Sequence, residues 1–164
     1  KGVRRIQYDE PAIVVKQSLG SLRDEDITLL QRAMDICGLV PGATTVLHTY
    51  FGDAGPIVPQ LIDMPVDAVG IDCTETTLES IAKYGFGEKE LALGLVDARS
   101  TALASEEDLL ARLRIVASRS RPKKLWITPN TGTEYRGYTH GTKVVDLLEK
   151  VGTLICLNYF QLMK

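Results

Sequence analysis

The chain has 164 residues, 45% of them hydrophobic, and a formal net charge of −2 at pH 7. This size and balance are typical of one globular domain with a buried core, and they provide no basic surface of the kind that binds nucleic acid. No apolar run approaches the roughly 20 residues that a membrane-spanning helix needs. No signal-peptide pattern opens the sequence either. We therefore expect a cytoplasmic protein with no membrane partner.

Five short apolar runs rich in β-branched residues predict buried strands. In chain order these runs cover residues 3–8, 44–50, 68–72, 91–97 and 124–128. Amphipathic segments between and after them predict helices over residues 24–37, 105–118 and 139–152. Ser105 stands three residues before Asp108, which is the spacing of a helix cap. The apolar tail 153–164 favours either a helix or a strand. Strands that alternate with helices indicate an α/β fold with a parallel sheet.

Polar side chains follow each predicted strand at its carboxyl end: Asp9 and Glu10, His48 and Tyr50, Asp72, Asp97 and Arg99, and Asn130. In a parallel α/β fold these ends gather on one face, where ligands bind in both barrels and open sheets. Asp9 and Glu10 are the most unusual, because an apolar strand has no use for two adjacent carboxylates, and the rigid Pro11 fixes the backbone after them. We therefore predict that these eight side chains form a site for a small-molecule substrate.

Simpler roles stay open for several of these residues. Asp97 could cap the following helix or pair with Arg99. His48 could be a hydrogen-bonded core histidine, and Tyr50 could serve only in packing. The three cysteines are far apart and lack metal-ligand spacing, which indicates reduced thiols. No glycine-rich dinucleotide or phosphate-binding motif follows a strand, so no nucleotide cofactor is predicted.

A resemblance to a known family is carried by five stretches, IQYDEPAIV, HTYFGDAG, MPVDAVGIDCTE, LALGLVDARS and KLWITPNTG. In this order, and across most of the chain, they resemble the barrels of the cobalamin-independent methionine synthases. The likeness is closer to the amino-terminal and archaeal barrel type than to the zinc-bearing catalytic barrel. The resemblance implies parallel βα units of a TIM (β/α)8 barrel. It also implies a methyltransferase that carries a methyl group from a reduced folate or a methylated corrinoid to homocysteine.

The resemblance further implies a zinc site, but its ligands are largely missing here. The positions that match the family's four zinc ligands hold Tyr50, Gly52, Asp72 and Thr131. Only Asp72 is a suitable ligand, so no cofactor is supported and no metal site is predicted. The family's catalytic histidine is matched by Arg99. Asp9 matches an acid that contacts the ammonium group of the amino acid substrate.

The length of the chain sets one more expectation. Five βα units do not close an eight-stranded barrel, which typically takes about 250 residues. We therefore expect residues 1–164 to form a single domain, the carboxy-terminal five strands of such a barrel, with the first strands supplied elsewhere. Open sheet edges then predict self-association or pairing with a complementary barrel segment. The tail would contribute to that contact through Leu154, Ile155, Leu157, Tyr159 and Phe160.

Two alternatives to an active methyltransferase remain open at this stage. The first is a non-catalytic ligand-binding or scaffolding barrel of the same family, which the missing zinc ligands suggest. The second is an unrelated five-stranded doubly wound sheet that binds a small ligand at its strand ends.

Overall fold

The computed structural model describes residues 2–135 and 137–162, with side chains up to residue 155. It contains a five-stranded parallel sheet in the order β1-β2-β3-β4-β5. The strands are, in turn, Arg5–Asp9, Thr44–Thr49, Ala68–Asp72, Glu90–Val96 and Lys124–Pro129. The prediction of five parallel strands is confirmed. The boundaries shift slightly, and Asp9 is the last residue of β1 where we expected it to follow the strand.

The strand order separates the two predicted sheet types. Each strand pairs with the next one along the chain. Because crossovers between parallel strands are right-handed, every step then goes in the same direction and leaves its helix on the same face of the sheet. A doubly wound sheet instead reverses its strand order part-way. The order is therefore that of consecutive βα units of a barrel, and the doubly wound alternative is wrong.

Within the described residues six α-helices connect or follow the strands: α1 Ala12–Ser18, α2 Asp24–Cys37, α3 Val58–Asp63, α4 Leu78–Ile81, α5 Glu106–Ser120 and α6 Tyr138–Leu162. Two 3₁₀ helices cover Gly55–Ile57 and Thr133–Tyr135. The helix predicted over 24–37 has the bounds of α2. The predicted cap of α5 is also confirmed, because Ser105 Oγ accepts a hydrogen bond of 3.1 Å from the backbone nitrogen of Asp108.

Three short helices, α1, α3 and α4, were not predicted. They have only four to seven residues, which is too short for a 3.6-residue pattern to show in the sequence. The N-cap residue of α1, Pro11, makes no side-chain hydrogen bond to the helix, and Ile13 and Val14 are buried in the core. Tertiary packing, rather than local preference, therefore stabilises this helix.

The apolar tail is helical as far as Leu162. Helix α6 extends through Leu162, about ten residues beyond the helix predicted over 139–152. Ile155 is partly buried and packs against the core of the same chain, and its contribution to a contact with another chain stays a prediction. Leu154 is also half-buried, and the side chains of the remaining predicted contact residues, Leu157, Tyr159 and Phe160, lie outside the described part. Within the part of the chain that the structure describes, no helix is both long and apolar enough to cross a membrane.

The main core lies between the sheet and its helices. On β2, β3 and β4 the side chains that point toward the helices are buried, among them Leu47, Val69, Ile71, Leu91 and Leu93. Leu109, Leu113 and Val116 of α5 are buried with them. Since side chains alternate between the faces of a strand, the residues between these positions lie on the opposite face, which the helices do not cover.

The strand register arranges the side chains of this opposite face in rows across the sheet. One row consists of Gln7, Val46, Ala68, Glu90 and Lys124, and the next consists of Asp9, His48, Gly70, Ala92 and Trp126. Arg5 and Thr44 pair on the amino side of these rows, and Asp72, Gly94 and Thr128 form a row on the carboxyl side. The central strands β3 and β4 contribute mostly glycine and alanine. Larger side chains from the flanking strands therefore have room above them.

The sheet is strongly curved, so that this face is concave. The guanidinium carbon of Arg5 on edge strand β1 lies 3.7 Å from the ring centroid of Trp126 on edge strand β5. The ammonium nitrogen of Lys124 lies 4.0 Å from the same ring. Trp126 Nε1 donates a hydrogen bond of 2.7 Å to Glu90 Oε2. This cluster fills the amino end of the concave face, whereas the carboxyl end stays open.

Candidate functional site

The open end of the concave face holds a pocket of about 400 Å³. It lies where the carboxyl ends of β1, β2 and β5 approach one another. Its lining comes from three segments and consists of Gln7, Asp9, His48, Tyr50, Thr128, Pro129 and residues 131–135. We call it the concave pocket. Three of the eight side chains predicted from the sequence, Asp9, His48 and Tyr50, line it.

Gln7 joins two of the pocket's polar side chains. Its Nε2 atom donates a hydrogen bond of 2.8 Å to Asp9 Oδ1 and lies 3.3 Å from His48 Nδ1. Gln7 was missed from the sequence, although it stands two residues before Asp9 and therefore shares its face of β1. The side chain of Asp9 is exposed at the pocket mouth, so one of its oxygens stays accessible to a ligand cation.

His48 is buried in the pocket wall, with 5% of its surface exposed. Its ring lies over Gly70 on the next strand, because a Cβ atom at position 70 would come within 2.4 Å of His48 Cδ2. Burial lowers the pKa of His48 below its usual value, against the opposing effect of Asp9 and Asp72. The ring is therefore neutral at neutral pH. Its Nε2 atom is buried and has no hydrogen-bond partner among the described residues.

Thr128 carries a second unpaired atom in the same wall. Its Oγ1 is buried without a hydrogen-bond partner in the described part of the chain. Buried polar groups are nearly always paired, and each one that is not calls for an explanation. Two such atoms in the lining of one pocket indicate a place where a ligand completes the hydrogen bonding.

A second polar cluster, centred on Asp72, lies beside the pocket and differs from it in one respect: its hydrogen bonds are made within the protein. Asp72 is 1% exposed. Its Oδ1 accepts hydrogen bonds of 2.8 and 2.6 Å from the backbone nitrogen and Oγ1 of Thr74. Its Oδ2 accepts longer bonds of 3.4 Å from the backbone nitrogen of Phe51 and from Asn130 Nδ2. Asp72 thus ties together the segments that follow β2, β3 and β5.

Asn130 is the other centre of this cluster and is fully buried. Its Oδ1 accepts a hydrogen bond of 2.9 Å from the backbone nitrogen of Ala98. Its Nδ2 also lies 3.1 Å from Thr74 Oγ1 and 3.4 Å from Asp97 Oδ1. Gly94 allows this approach, because a Cβ atom there would come within 2.8 Å of the Asn130 Cα. Asn130 therefore fixes the ends of β3, β4 and β5 relative to one another.

Arg99 and Asp97 form the outer part of the same cluster. Arg99 Nε lies 3.4 Å from Asp97 Oδ1, and Arg99 Nη2 lies 3.0 Å from Glu75 Oε1. The guanidinium carbon is also 5.5 Å from the ring centroid of Phe51. The ion pair between Asp97 and Arg99, one of the two roles left open from the sequence, is therefore present. Neither residue lines the concave pocket.

Glu10 points away from the concave pocket. Its Oε1 accepts a hydrogen bond of 3.3 Å from the backbone nitrogen of Ile13 in the first turn of α1. It lines a different groove, between α1 and α2. The sequence placed Glu10 beside Asp9 in one site, but β1 ends between them, and the start of α1 turns the second carboxylate toward the helix.

An aromatic series borders the pocket. Tyr50 lies edge-on to His48 and to Phe51, with ring centroids 5.8 and 4.7 Å apart. Phe51 in turn contacts Tyr135 at 6.1 Å. Phe51 has a φ of 71°, a conformation that non-glycine residues rarely adopt and that is frequent at functional sites. The sequence identified Tyr50 but not Phe51 or Tyr135, because Tyr135 lies in a segment without strand or helix periodicity.

The residues at the family's zinc positions do not fit zinc in this structure. Asp72 already accepts four hydrogen bonds, and burial raises the pKa of the Tyr50 phenol, which keeps it protonated. At position 52 even a Cβ atom would come within 2.4 Å of the Val14 carbonyl oxygen. Thr131 offers only a buried hydroxyl. Across the described residues, no group of three or more histidine, cysteine, aspartate or glutamate side chains is arranged to hold a metal ion.

One family model matches most of this chain. Residues 1–153 match the family model described as "Cobalamin-independent synthase, Catalytic domain". The chain belongs to this family. The sequence motifs suggested a closer likeness to the amino-terminal barrel type, whereas the family model that matches is that of the catalytic domain. The alternative of a non-catalytic barrel is not favoured by this match.

Individual relatives agree with the family assignment. The chain is 32% identical over 134 residues to a 5-methyltetrahydropteroyltriglutamate–homocysteine methyltransferase of Bacillus cytotoxicus, which covers 79% of this chain and 17% of that protein. It is 29% identical to a methionine synthase of Saccharolobus solfataricus, covering 80% of this chain and 38% of the relative. The chain thus spans well under half the length of these two relatives.

A solved structure supports the fold. The B12-independent methionine synthase from Shewanella sp. W3-18-1, determined in complex with selenomethionine, superposes with a TM-score of 0.77 at 19% sequence identity. The superposition covers 98% of this chain and 50% of the Shewanella chain. At this identity the likeness concerns the fold, and it places the five strands described here within a barrel of that type.

Proposed function

We propose that this chain binds a homocysteine-like amino acid in the concave pocket and acts, in the cytoplasm, as part of a methionine-synthase-type methyltransferase. Membership of the cobalamin-independent synthase family supports the reaction class. The observation that carries the choice of site is the pocket at the carboxyl strand ends, which combines an exposed carboxylate with two buried polar atoms that have no partner in the described part of the chain. Ligands of barrel enzymes bind at this end of the strands.

The two ends of an amino acid suit the two sides of this pocket. The carboxylate of Asp9 is oriented by Gln7 and lies at the pocket mouth, where it can accept charge-assisted hydrogen bonds from an ammonium group. His48 Nε2 and Thr128 Oγ1 lie in the wall and suit an oxygen of the ligand. Tyr50 and Tyr135 supply aromatic surface for an apolar thioether or thiol side chain.

The proposal covers binding of the amino acid and not activation of its thiol. The residues at positions 50, 52, 72 and 131 do not form a zinc site, so we assign no step to a metal held by this chain. We also propose that further strands pair with β1 and β5, each of which has a strand neighbour on one side only in the described sheet. A second copy or a complementary barrel segment would fill that role, and sedimentation over a range of concentrations would detect self-association.

Calorimetric titration of the purified chain tests the proposal. We expect L-homocysteine and L-methionine to bind, and we expect much weaker binding of 4-(methylthio)butanoic acid, which lacks the amino group. The variant Asp9→Asn should lose about tenfold or more in affinity for L-methionine, because it removes a charge-assisted contact. It should weaken binding of the deaminated compound much less, because that compound has no ammonium group to contact Asp9.

The matched control is Asp35→Asn, which alters an exposed carboxylate on α2, a helix that contributes no residue to the lining of the concave pocket. Its affinity for L-methionine should equal that of the native chain. Equal binding of the amino and deaminated compounds, or equal effects of the two variants, would contradict the proposal.

A further inference from the structure

The amide of Gln7 has a defined orientation, which its neighbours fix. An ionised carboxylate only accepts hydrogen bonds. The Gln7 atom that lies 2.8 Å from Asp9 Oδ1 must therefore be the amide nitrogen. The same nitrogen lies 3.3 Å from His48 Nδ1. Its two hydrogens thus serve two acceptors, one on Asp9 and one on His48.

This orientation determines the state of the imidazole. An amide nitrogen cannot accept a hydrogen bond, so His48 Nδ1 must offer its lone pair to Gln7. In a neutral ring the proton then lies on Nε2, because the hydrogen bond made by one ring nitrogen sets the protonation of the other. Burial keeps the ring neutral. Nε2 is accordingly a buried N–H group without an acceptor among the described residues.

We propose that Gln7 is a positioning residue that holds His48 in the tautomer with the proton on Nε2, so that this nitrogen donates a hydrogen bond to a ligand in the concave pocket. The part of this inference that concerns the ligand rests on the proposed function. The part that concerns the tautomer is a property of the free chain. Asp9 thereby has two roles, since its carboxylate both faces the pocket and orients the amide that controls His48.

Gly70 completes the arrangement from the other side. A Cβ atom at this position would lie 2.4 and 2.8 Å from His48 Cδ2 and Cγ. Only glycine therefore lets the ring lie flat enough over β3 for Nδ1 to reach Gln7. Gln7 sets the tautomer of the imidazole and Gly70 sets its position, although neither is a residue type that a search for catalytic side chains would select.

Long-range nitrogen–proton NMR correlations on the ¹⁵N-labelled native chain give the first test. The sequence has two histidines, His48 and His140, so assignment needs one variant, His140→Gln. We expect the His48 Nε2 signal to show a protonated nitrogen and the Nδ1 signal an unprotonated one at neutral pH. A proton on Nδ1 in the native chain would overturn the inference without any substitution in the pocket.

The variants Gln7→Ala and Gln7→Glu give the second test. With alanine, Nδ1 loses its donor, and we expect a mixture of the two tautomers. With glutamate, a carboxylate faces Nδ1, and we expect the proton to move to Nδ1 or the ring to become charged. The matched control Gln60→Ala, at an exposed position of α3, should keep the native tautomer. An unchanged tautomer in both position-7 variants would overturn the inference.

Binding provides the last readout. If His48 Nε2 donates to the ligand, Gln7→Ala should weaken L-methionine binding about fivefold, the effect of one hydrogen bond, and Gln60→Ala should not. If no amino acid binds the native chain while the tautomer is as expected, the proposed function fails and the positioning role of Gln7 stands. If the native chain binds and Gln7→Ala binds equally well, the positioning role for the ligand is refuted.

Discussion

Removal of the Asn130 side chain is the sharpest test of the cluster at the strand ends. The side chain is fully buried and accepts one hydrogen bond of 2.9 Å from Ala98. Its Nδ2 lies 3.1 Å from Thr74 Oγ1 and 3.4 Å from carboxylate oxygens of Asp72 and Asp97. In Asn130→Ala the Ala98 amide and one oxygen of the buried Asp72 each lose a partner.

The magnitude follows from those losses. A buried polar group left without a partner costs about 1–3 kcal/mol. The Ala98 amide is left without a partner, at about 2 kcal/mol, and Asp72 Oδ2 loses one of its two hydrogen bonds, at about 1 kcal/mol, so we predict a loss of about 3 kcal/mol in the free energy of unfolding. For a chain of this length each kcal/mol shifts the melting temperature by about 2–4 °C. We therefore expect Asn130→Ala to melt about 6–12 °C below the native chain.

Urea unfolding followed by the fluorescence of Trp126, the single tryptophan in the sequence, measures the change directly. The matched control is Gln31→Ala, which removes an amide that donates a hydrogen bond of 3.2 Å to Asp35 on the surface of α2. This substitution should lower the free energy of unfolding by less than about 0.5 kcal/mol. A loss of less than about 1 kcal/mol for Asn130→Ala, or equal losses for the two variants, would refute the reasoning.

Three further predictions concern other parts of the molecule. Burial lowers the pKa of His48 in the folded chain, so the imidazole of the unfolded chain is protonated first as the pH falls. The free energy of unfolding should therefore decrease as the pH drops through about 6.5. Urea unfolding at pH 7.5 and at pH 5.5 measures this decrease, and His48→Asn should remove it. Arg5→Ala should shift the emission of Trp126 and cost about 0.5–1 kcal/mol through the lost cation–π contact, whereas the control Arg4→Ala should leave the emission unchanged. After dialysis against zinc, metal analysis of the native chain should find no stoichiometric zinc. Zinc that the native chain retains and Asp72→Ala loses would contradict the assignment of Asp72 as a hydrogen-bond centre.

Much of the fold could be predicted because its signals are local. Buried parallel strands are short apolar runs, and the polar residues that end them stand out by contrast. The position of Asp9, His48 and Tyr50 around one pocket follows from that pattern. The position of Glu10 outside this pocket could not be predicted, because no apolar or periodic pattern in the sequence marks the change from strand to helix between Asp9 and Pro11.

Other features of the site depend on contacts between distant segments. Gly70 and Gly94 have no visible role in the sequence, yet the first admits the ring of His48 and the second admits the backbone of Asn130. Tyr135 reaches Phe51 from a segment more than 80 residues away. Such close approaches are set by strand register and sheet curvature, which a single sequence does not specify.

The two polar clusters at the strand ends differ in whether their polar atoms are paired within the chain, although the sequence predicted that they form one site. Asp72 and Asn130 are buried and their polar atoms are paired within the chain, so substituting them should cost folding free energy. The wall of the concave pocket contains two buried atoms, His48 Nε2 and Thr128 Oγ1, that have no partner among the described residues, and such atoms cost stability unless something binds them. A retained acidic residue at a family's metal position is therefore weak evidence for a metal here. The atoms that lack partners are the better guide to where this chain meets its ligand.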